Sequence, residues 1–277
     1  MKHTRTLIPL LAIAVIAPAF VSCNADDKKK LEDAQDATVS FMLCEKSQCY
    51  KFKDSAADYD SGSDITYSCT ARMLMPAVVY GKEPEALRDS IIRTAFDVSD
   101  SDFEAGAVAA FKNSIDEFGY TPEEIDMPVN PDGMMSVYGS VASMNGRVMS
   151  YLVRTDSYAP RAAHGMTVSR YVNYDMKSDS VVVLSDLFTP EGMKKLPGQL
   201  RMKAAELVPV VGLTEIEGLP SGNNFYISQS GDIVFVYQPY EIASFAQGTI
   251  EIPVEPYTVI NLMTVRGKRL FGFEDLQ

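Results

Sequence analysis

Residues 135–154 read MSVYGSVASMNGRVMSYLVR, and the period of their apolar positions decides the fold. Met135, Val137, Gly139 and Val141 alternate with polar or small residues, and Val148, Ser150, Leu152 and Arg154 resume a two-residue period after a break. Side chains repeating at every second position line one face of a strand, whereas a helix would scatter them round its circumference. The break is Asn145-Gly146, the pair that takes up the backbone of a tight two-residue turn at least cost. An antiparallel hairpin therefore stands in the middle of the chain.

On its N-terminal side the period changes. Leu87, Ile91, Ile92, Ala95 and Phe96 share one face of a helix over Glu85 to Phe96, with Pro84 in its first turn. Phe103, Ala107, Phe111, Ile115 and Phe118 do the same over Asp102 to Phe118, where Gly119 supplies a stop. Such stripes are core positions. Thr121 to Asp132 carries three prolines and reads as a connection. Before the helices, Val39 to Phe52 and Ile65 to Val79 are β-rich runs separated by a polar loop.

On the C-terminal side, Met166 to Met176 and Val181 to Leu184 form a second hairpin around Lys177-Ser178-Asp179. A helical stretch, Pro190 to Leu207, is broken by Pro197-Gly198. Phe225 to Gln229 pairs with Ile233 to Tyr237 across Ser230-Gly231-Asp232, and Ile250 to Glu255 adds a strand. Strands and helices cluster instead of alternating, so the expected class is α+β, an antiparallel sheet with helices packed on it, not a doubly wound parallel sheet. Residues 38–277 are expected to form a single globular unit with halves at 38–128 and 129–277.

The first 22 residues have a different character. Lys2 and Arg5 precede an apolar run, Leu7 to Val21, that is shorter than the roughly 20 residues a spanning helix needs. The pattern is that of an export signal, and its end, Phe20-Val21-Ser22-Cys23, resembles the bacterial lipobox, in which the cysteine thiol takes a lipid before cleavage makes it the new N-terminus. Residues 23–37 are polar throughout and read as a tether. Asp26-Asp27 behind Cys23 resembles the surface-export signal of Bacteroidetes lipoproteins, and a plain solvated linker explains it equally well. The expected location is the bacterial outer membrane, on its periplasmic or its outer face, with the lipid as the only membrane contact.

Composition narrows the chemistry. There are 25 basic and 37 acidic residues, a formal net charge of −12, and the lost signal would leave the mature chain more acidic still. Such a surface repels nucleic acid and anionic lipid. The histidines number two, His3 inside the export segment and His164, so sites that need a pair of imidazoles are excluded. Gly218-Leu219-Pro220-Ser221-Gly222 lacks the lysine of a phosphate loop, and no cofactor is expected. Once Cys23 carries lipid, Cys44, Cys49 and Cys69 remain. In an oxidising envelope one pair should join, and strand adjacency favours Cys49 with Cys69.

Two blocks of the second half resemble the extracytoplasmic family DUF3298, often preceded by a DUF4163 half. The first is Ala163-His164-Gly165, Arg170-Tyr171-Val172-Asn173-Tyr174-Asp175 and Leu184-Ser185-Asp186-Leu187-Phe188; the second is Asn224-Phe225-Tyr226, Gly231, Val234 through Pro239-Tyr240-Glu241-Ile242-Ala243, Gly248 and Ile250-Glu251-Ile252-Pro253. Together they span about Tyr158 to Met263, and the order of strands and helices before them suits the companion half. Pro160-Arg161-Ala162 stands where the family usually carries two glycines, which stiffens that loop and adds a charge. The resemblance implies an envelope module of the kind found in lysozyme-binding anti-sigma factors and beside the catalytic domain of a peptidoglycan deacetylase. A spanning helix and that deacetylase's two-histidine metal site are both missing from this sequence.

The implied function is recognition, with a lysozyme-like muramidase or peptidoglycan as partner and no metal or catalytic residue. Arg161, His164, Tyr240, Glu241 and Phe245 are the candidate ligand contacts, because an aromatic-rich loop offers apolar area with little entropy cost. The alternatives are a hydrolase acting on cell-wall glycan through His164 and carboxylates, or a structural subunit of an envelope assembly. No GxSxG elbow surrounds any serine, Asp186 suits a helix cap, and His164 in a tight turn is the plainer reading, with Gly165 permitting an unusual dihedral. If Cys23 carries the lipid, Cys23→Ala abolishes incorporation of radiolabelled fatty acid; equal label in the variant would end the lipoprotein assignment.

Overall fold

The computed structural model describes residues 39–53, 64–99, 101–117, 132–160, 162–207 and 216–275. The export segment, Cys23, the tether, most of the proline-containing connection, and Arg161 lie outside the described residues.

Six strands form the larger sheet in chain order: β1 (Val39–Lys53), β2 (Asp64–Val79), β3 (Gly133–Met144), β4 (Val148–Tyr158), β5 (Met166–Asp175) and β6 (Ser180–Val182). Every neighbouring pair is antiparallel except β2 with β3, which run parallel from Tyr67 opposite Gly133 to Met73 opposite Gly139. The α+β class holds, and within the mainly antiparallel sheet this seam is the one parallel pairing. Between those strands the chain passes through helices α1 (Glu85–Phe96) and α2 (Phe103–Glu117), and that crossover lets β3 start from the same end as β2. The hairpin turn is held by the Asn145 side chain, whose oxygen accepts from the backbone N–H of Arg147 (2.9 Å) and Val148 (2.8 Å).

The predicted helical stripes become core over the described residues, with Phe118 lying outside them. Leu87, Ile91, Ile92, Ala95 and Phe96 of α1, with Ala107 and Phe111 of α2, pack on Tyr67, Cys69, Ala71 and Met73 of β2 and on Val137, Met149, Tyr151 and Val153 of the central hairpin. Gly139 is required here because a Cβ would press into the side chains of Tyr151 and Met73. On the outer face of β1–β3, Leu43 lies opposite Leu74, and Tyr138 lies between Arg72 and Arg154, so charges interrupt the exposed apolar positions.

A second, three-stranded sheet, β7 (Phe225–Ile227), β8 (Ile233–Tyr237) and β9 (Ile250–Val254), is antiparallel throughout. Around it pack the short α3 (Leu184–Leu187), α4 (Pro190–Leu207) and α5 (Val265–Leu270), enclosing Leu196, Leu200, Phe235, Ile252 and Val259. The expected break at Pro197 does not occur, since α4 runs on through it. Leu196 and Leu200, on either side of that proline, are both fully buried in one core, and their burial offsets the lost hydrogen bond. A 3-10 segment, Pro256–Leu262, and α5 were not legible beforehand. Both are short, and α5 starts on Thr264, whose side chain accepts from the Gly267 N–H (2.8 Å).

The cysteine pairing is also corrected. Cys44, Cys49 and Cys69 are all free. Residues directly opposite in an antiparallel pair share a face, and here Cys69 faces Gln48 while Cys49 faces Ser68. The two thiols therefore project from opposite faces of the sheet, Cys69 into the core and Cys49 to solvent, where no disulfide can join them without moving backbone. Burial pushes the Cys69 thiol up to about 11, against a lowering hydrogen bond with Ser114, so it stays protonated.

The two sheets meet through polar side chains. β7 is an edge strand, and its outward backbone groups point at β4 and β5 instead of water. Ser150 and Asn173, directly opposite each other in register, are both buried. The Ser150 hydroxyl accepts from the Ile227 N–H (3.0 Å) and lies 2.6 Å from Asn173 Oδ1, while Asn173 Nδ2 donates to the Phe225 carbonyl (2.9 Å). The Ile227 carbonyl is reached by the hydroxyls of Ser143 and Ser150. Asn224 completes the seam: its Oδ1 accepts from the Tyr171 N–H (3.1 Å), and its Nδ2 donates to the carbonyls of Ser169 (2.8 Å) and Val236 (3.2 Å).

Truncating Asn173 orphans the buried Phe225 carbonyl, while the Ser150 hydroxyl keeps its bonds to the Ile227 N–H and carbonyl. Asn173→Ala should therefore cost about 1–3 kcal/mol, the penalty for one unsatisfied group. Urea unfolding followed by circular dichroism reads this as a lowered midpoint; an unchanged midpoint would mean that the seam carries no stability.

Candidate functional site

Two of the predicted loops converge. The turn after β4 ends at His164, and the segment after β8 carries Tyr240 and Phe245. The imidazole of His164 stacks on Phe245 with ring centres 4.2 Å apart and planes inclined by 27°; Tyr240 is 5.6 Å from Phe245, inclined by 28°. His164 Nδ1 lies 3.0 Å from the Gly165 carbonyl, which can only accept, so that nitrogen carries the proton. Nε2 is then the acceptor for the Tyr240 hydroxyl at 3.3 Å. Three rings form one partly open aromatic surface, with Tyr240 57% exposed.

Each ring is held from below. Gly165 has no positive φ, contrary to expectation. It is glycine because a Cβ would come within 2.8 Å of the Ser157 carbonyl, so the turn can lie directly against the end of β4. Tyr158 donates from its hydroxyl to the Ala162 carbonyl (2.6 Å), closing the turn. Gln238, at the root of the other loop, pairs with both backbone groups of Ser169, accepting from its N–H (2.9 Å) and donating to its carbonyl (2.7 Å). That bond ties the aromatic segment to β5. Ile242 and Ala243 are buried beneath it.

Glu241 has a different task from the one expected of it. Its two carboxylate oxygens accept from the backbone N–H groups of Gln238 (2.8 Å) and Ser221 (3.1 Å), so it shapes the loop and does not join the aromatic surface. Arg161 lies outside the described residues. Asp186 accepts from the Val183 N–H (3.0 Å), the capping role expected of it, and also receives Arg266 at 2.7 Å. Among the described residues no group of three or more histidine, cysteine or acidic side chains is arranged to hold a metal ion.

A cleft that sequence reading missed opens at the seam between the sheets. It encloses about 780 Å³, with Arg93 and Asp97 from the end of α1 on one wall, Arg170 and Tyr171 of β5 on another, and Ser221, Pro239 and Glu241 beyond. Pro239 and Glu241 flank Tyr240, so cleft and aromatic surface share one loop. No spacing rule could bring Arg93 and Arg170 together, because the pairing of α1 with the second half of the larger sheet is a tertiary event.

Residues 185–257 match the family described as "Protein of unknown function (DUF3298)", so a DUF3298 domain is present over that span. It covers α3, α4 and the three-stranded sheet, and it begins after His164. No curated protein matches the chain. Among solved structures, a DUF3298 family member from Bacteroides fragilis NCTC 9343 is 15% identical with a TM-score of 0.56, covering 85% of this chain and 98% of that one. A DUF3298 family protein from Pseudomonas aeruginosa PAO1 is 13% identical with a TM-score of 0.48, covering 82% of this chain and 95% of that one. The first likeness is one of fold, and it extends well outside the span matched by the family.

Tyr240 carries a cost that its position makes measurable. Its φ of 73° lies in the left-handed region, which disfavours any residue with a Cβ by roughly 1–2 kcal/mol. A Tyr240→Ala variant keeps that strain and Tyr240→Gly releases it. Urea unfolding should place the glycine variant about 1 kcal/mol above the alanine variant; alanine as stable as glycine would show that no strain is stored there.

Proposed function

We propose that the chain is a lipid-anchored, extracytoplasmic recognition protein of the bacterial envelope, with a DUF4163-like first half, and that its aromatic end docks a lysozyme-like muramidase. The observation that carries this reading is the His164–Tyr240–Phe245 surface. Exposed rings on a rigid support are the usual anchors of protein interfaces, and a tyrosine kept at an unfavourable φ implies selection for something other than stability. The charge balance fits as well: animal-type lysozymes are generally basic, and a chain of net charge −12 attracts a basic partner over long range.

The reading is one of binding without turnover. His164 spends Nδ1 on a backbone carbonyl, and Nε2 meets a tyrosine, not a serine or cysteine nucleophile. Anchored through Cys23 on an outer-membrane face, the domain would meet such a muramidase where it attacks the wall. Peptidoglycan itself is the second reading, favoured by the size of the cleft, which falls within the range of about 300–1,000 Å³ common for small-ligand sites.

Steering and docking separate in the salt dependence. Tyr240→Ala should weaken lysozyme binding about tenfold, roughly 1.4 kcal/mol, and leave the slope of affinity against salt unchanged, because a docked anchor acts on dissociation. Isothermal titration calorimetry of the soluble domain at two salt concentrations checks both. Absence of saturable binding by the wild type, or binding that vanishes in moderate salt, would overturn the proposal.

A further inference from the structure

The seam cleft has an electrostatic character that the protein as a whole does not. In a chain of net charge −12, five of the nine described arginines are occupied: Arg88, Arg147, Arg154 and Arg266 are ion-paired, and Arg201 donates to the Ile216 carbonyl. Arg93 and Arg170 have no ion-pair or hydrogen-bond partner for their guanidinium groups among the described residues, and both line the cleft. They come from different elements of the larger-sheet unit, α1 and β5.

The acids nearest them do not neutralise them. Glu241 lines the same cleft but commits both carboxylate oxygens to backbone N–H groups. Asp97 is four residues beyond Arg93 at the end of α1, yet it makes no ion pair with it. Two arginines with unpaired guanidinium groups thus line a recess of about 780 Å³ that also presents the hydroxyl-bearing Ser185 and Ser221.

We propose that this cleft is a binding site for a small ligand bearing a carboxylate, held by Arg93 and Arg170. A guanidinium presents a planar fork that matches a carboxylate with two parallel hydrogen bonds, and the bond is stronger where water is partly excluded. Asp97 and Glu241 set the charge limit. Two arginines and two acids leave the lining near neutral, so a monoanion paired with the guanidinium groups adds one net negative charge, whereas a phosphate dianion adds two beside the same acids. The carboxylate can come from an acidic sugar or from the C-terminus of a short peptide, and the two sources share this chemistry. The proposal does not depend on docking of a lysozyme-like protein, which the aromatic surface would perform with or without an occupied cleft.

Paired probes test it. The soluble domain is titrated, with heteronuclear NMR shifts as readout, with N-acetylmuramic acid against N-acetylglucosamine, which lacks the carboxylate, and with D-alanyl-D-alanine against its C-terminal amide. The expected result is saturable shifts from at least one acid and none from its neutral counterpart, the responding pair identifying the source. Arg93→Gln and Arg170→Gln should each weaken that binding at least fivefold. Arg72→Gln, an equal charge change on the outer sheet face, should alter it less than twofold. Both cleft arginines are exposed, so the variants should keep the wild-type urea midpoint, which verifies folding. Silence from both acids, equal response to an acid and its neutral counterpart, tighter binding of inorganic phosphate, or unchanged binding in both cleft variants would each overturn the proposal.

Discussion

The free edge of β7 has to find hydrogen bonds away from water, and it finds them in side chains of the larger sheet. A buried edge strand with unmet N–H and C=O groups would destabilise the chain by several kcal/mol. Ser150 of β4 and Asn173 of β5 meet those groups, and Asn224, in the turn before β7, bonds back to the β5 backbone, so two sheets with separate cores behave as one body. The seam is polar, and therefore specific in register: apolar surfaces tolerate sliding, while amides and hydroxyls bond at one offset only.

The aromatic surface and the cleft are both arranged around that register. Because Asn224 and Gln238 both reach Ser169 on β5, the loop after β8 is held against the end of β4, where the His164 turn emerges. The aromatic surface is thus assembled from two segments that the seam brings into contact. The same docking leaves a cleft between α1 and the three-stranded sheet, lined by arginines from separate halves of the chain. Rings suited to an interface and guanidinium groups suited to an anion lie on one loop's two sides.

Rigidity and strain are divided between neighbours. Glu241 and Gln238 lock the base of the loop with bonds to backbone, whereas Tyr240, at its tip, keeps a left-handed φ with more than half of its surface exposed. Firm support is what allows the tip to hold an unfavourable conformation. The C-terminal segment reinforces the other end of the three-stranded unit: Arg266 reaches Asp186, and the Thr264 N–H donates to the Leu187 carbonyl (2.9 Å).

Much of this architecture is local, and local physics writes itself into sequence. The period of Met135 to Arg154 gave β3 and β4, Asn145-Gly146 gave their turn, and the stripes from Leu87 and from Phe103 gave two helices, because side-chain spacing and backbone preference act within a few residues. The aromatic residues His164, Tyr240 and Phe245 were visible as candidates for the same reason. Tertiary structure alone decided the parallel seam of β2 with β3, the opposite faces of Cys49 and Cys69, the commitment of Glu241 to backbone, and the placing of Arg93 and Arg170 on one cleft. Those outcomes depend on which strand lies beside which and at what register. Such choices are settled by burial summed over the whole chain, and a hydrogen bond between Asn173 and the Phe225 carbonyl has no signature in either neighbourhood until both sheets are in place.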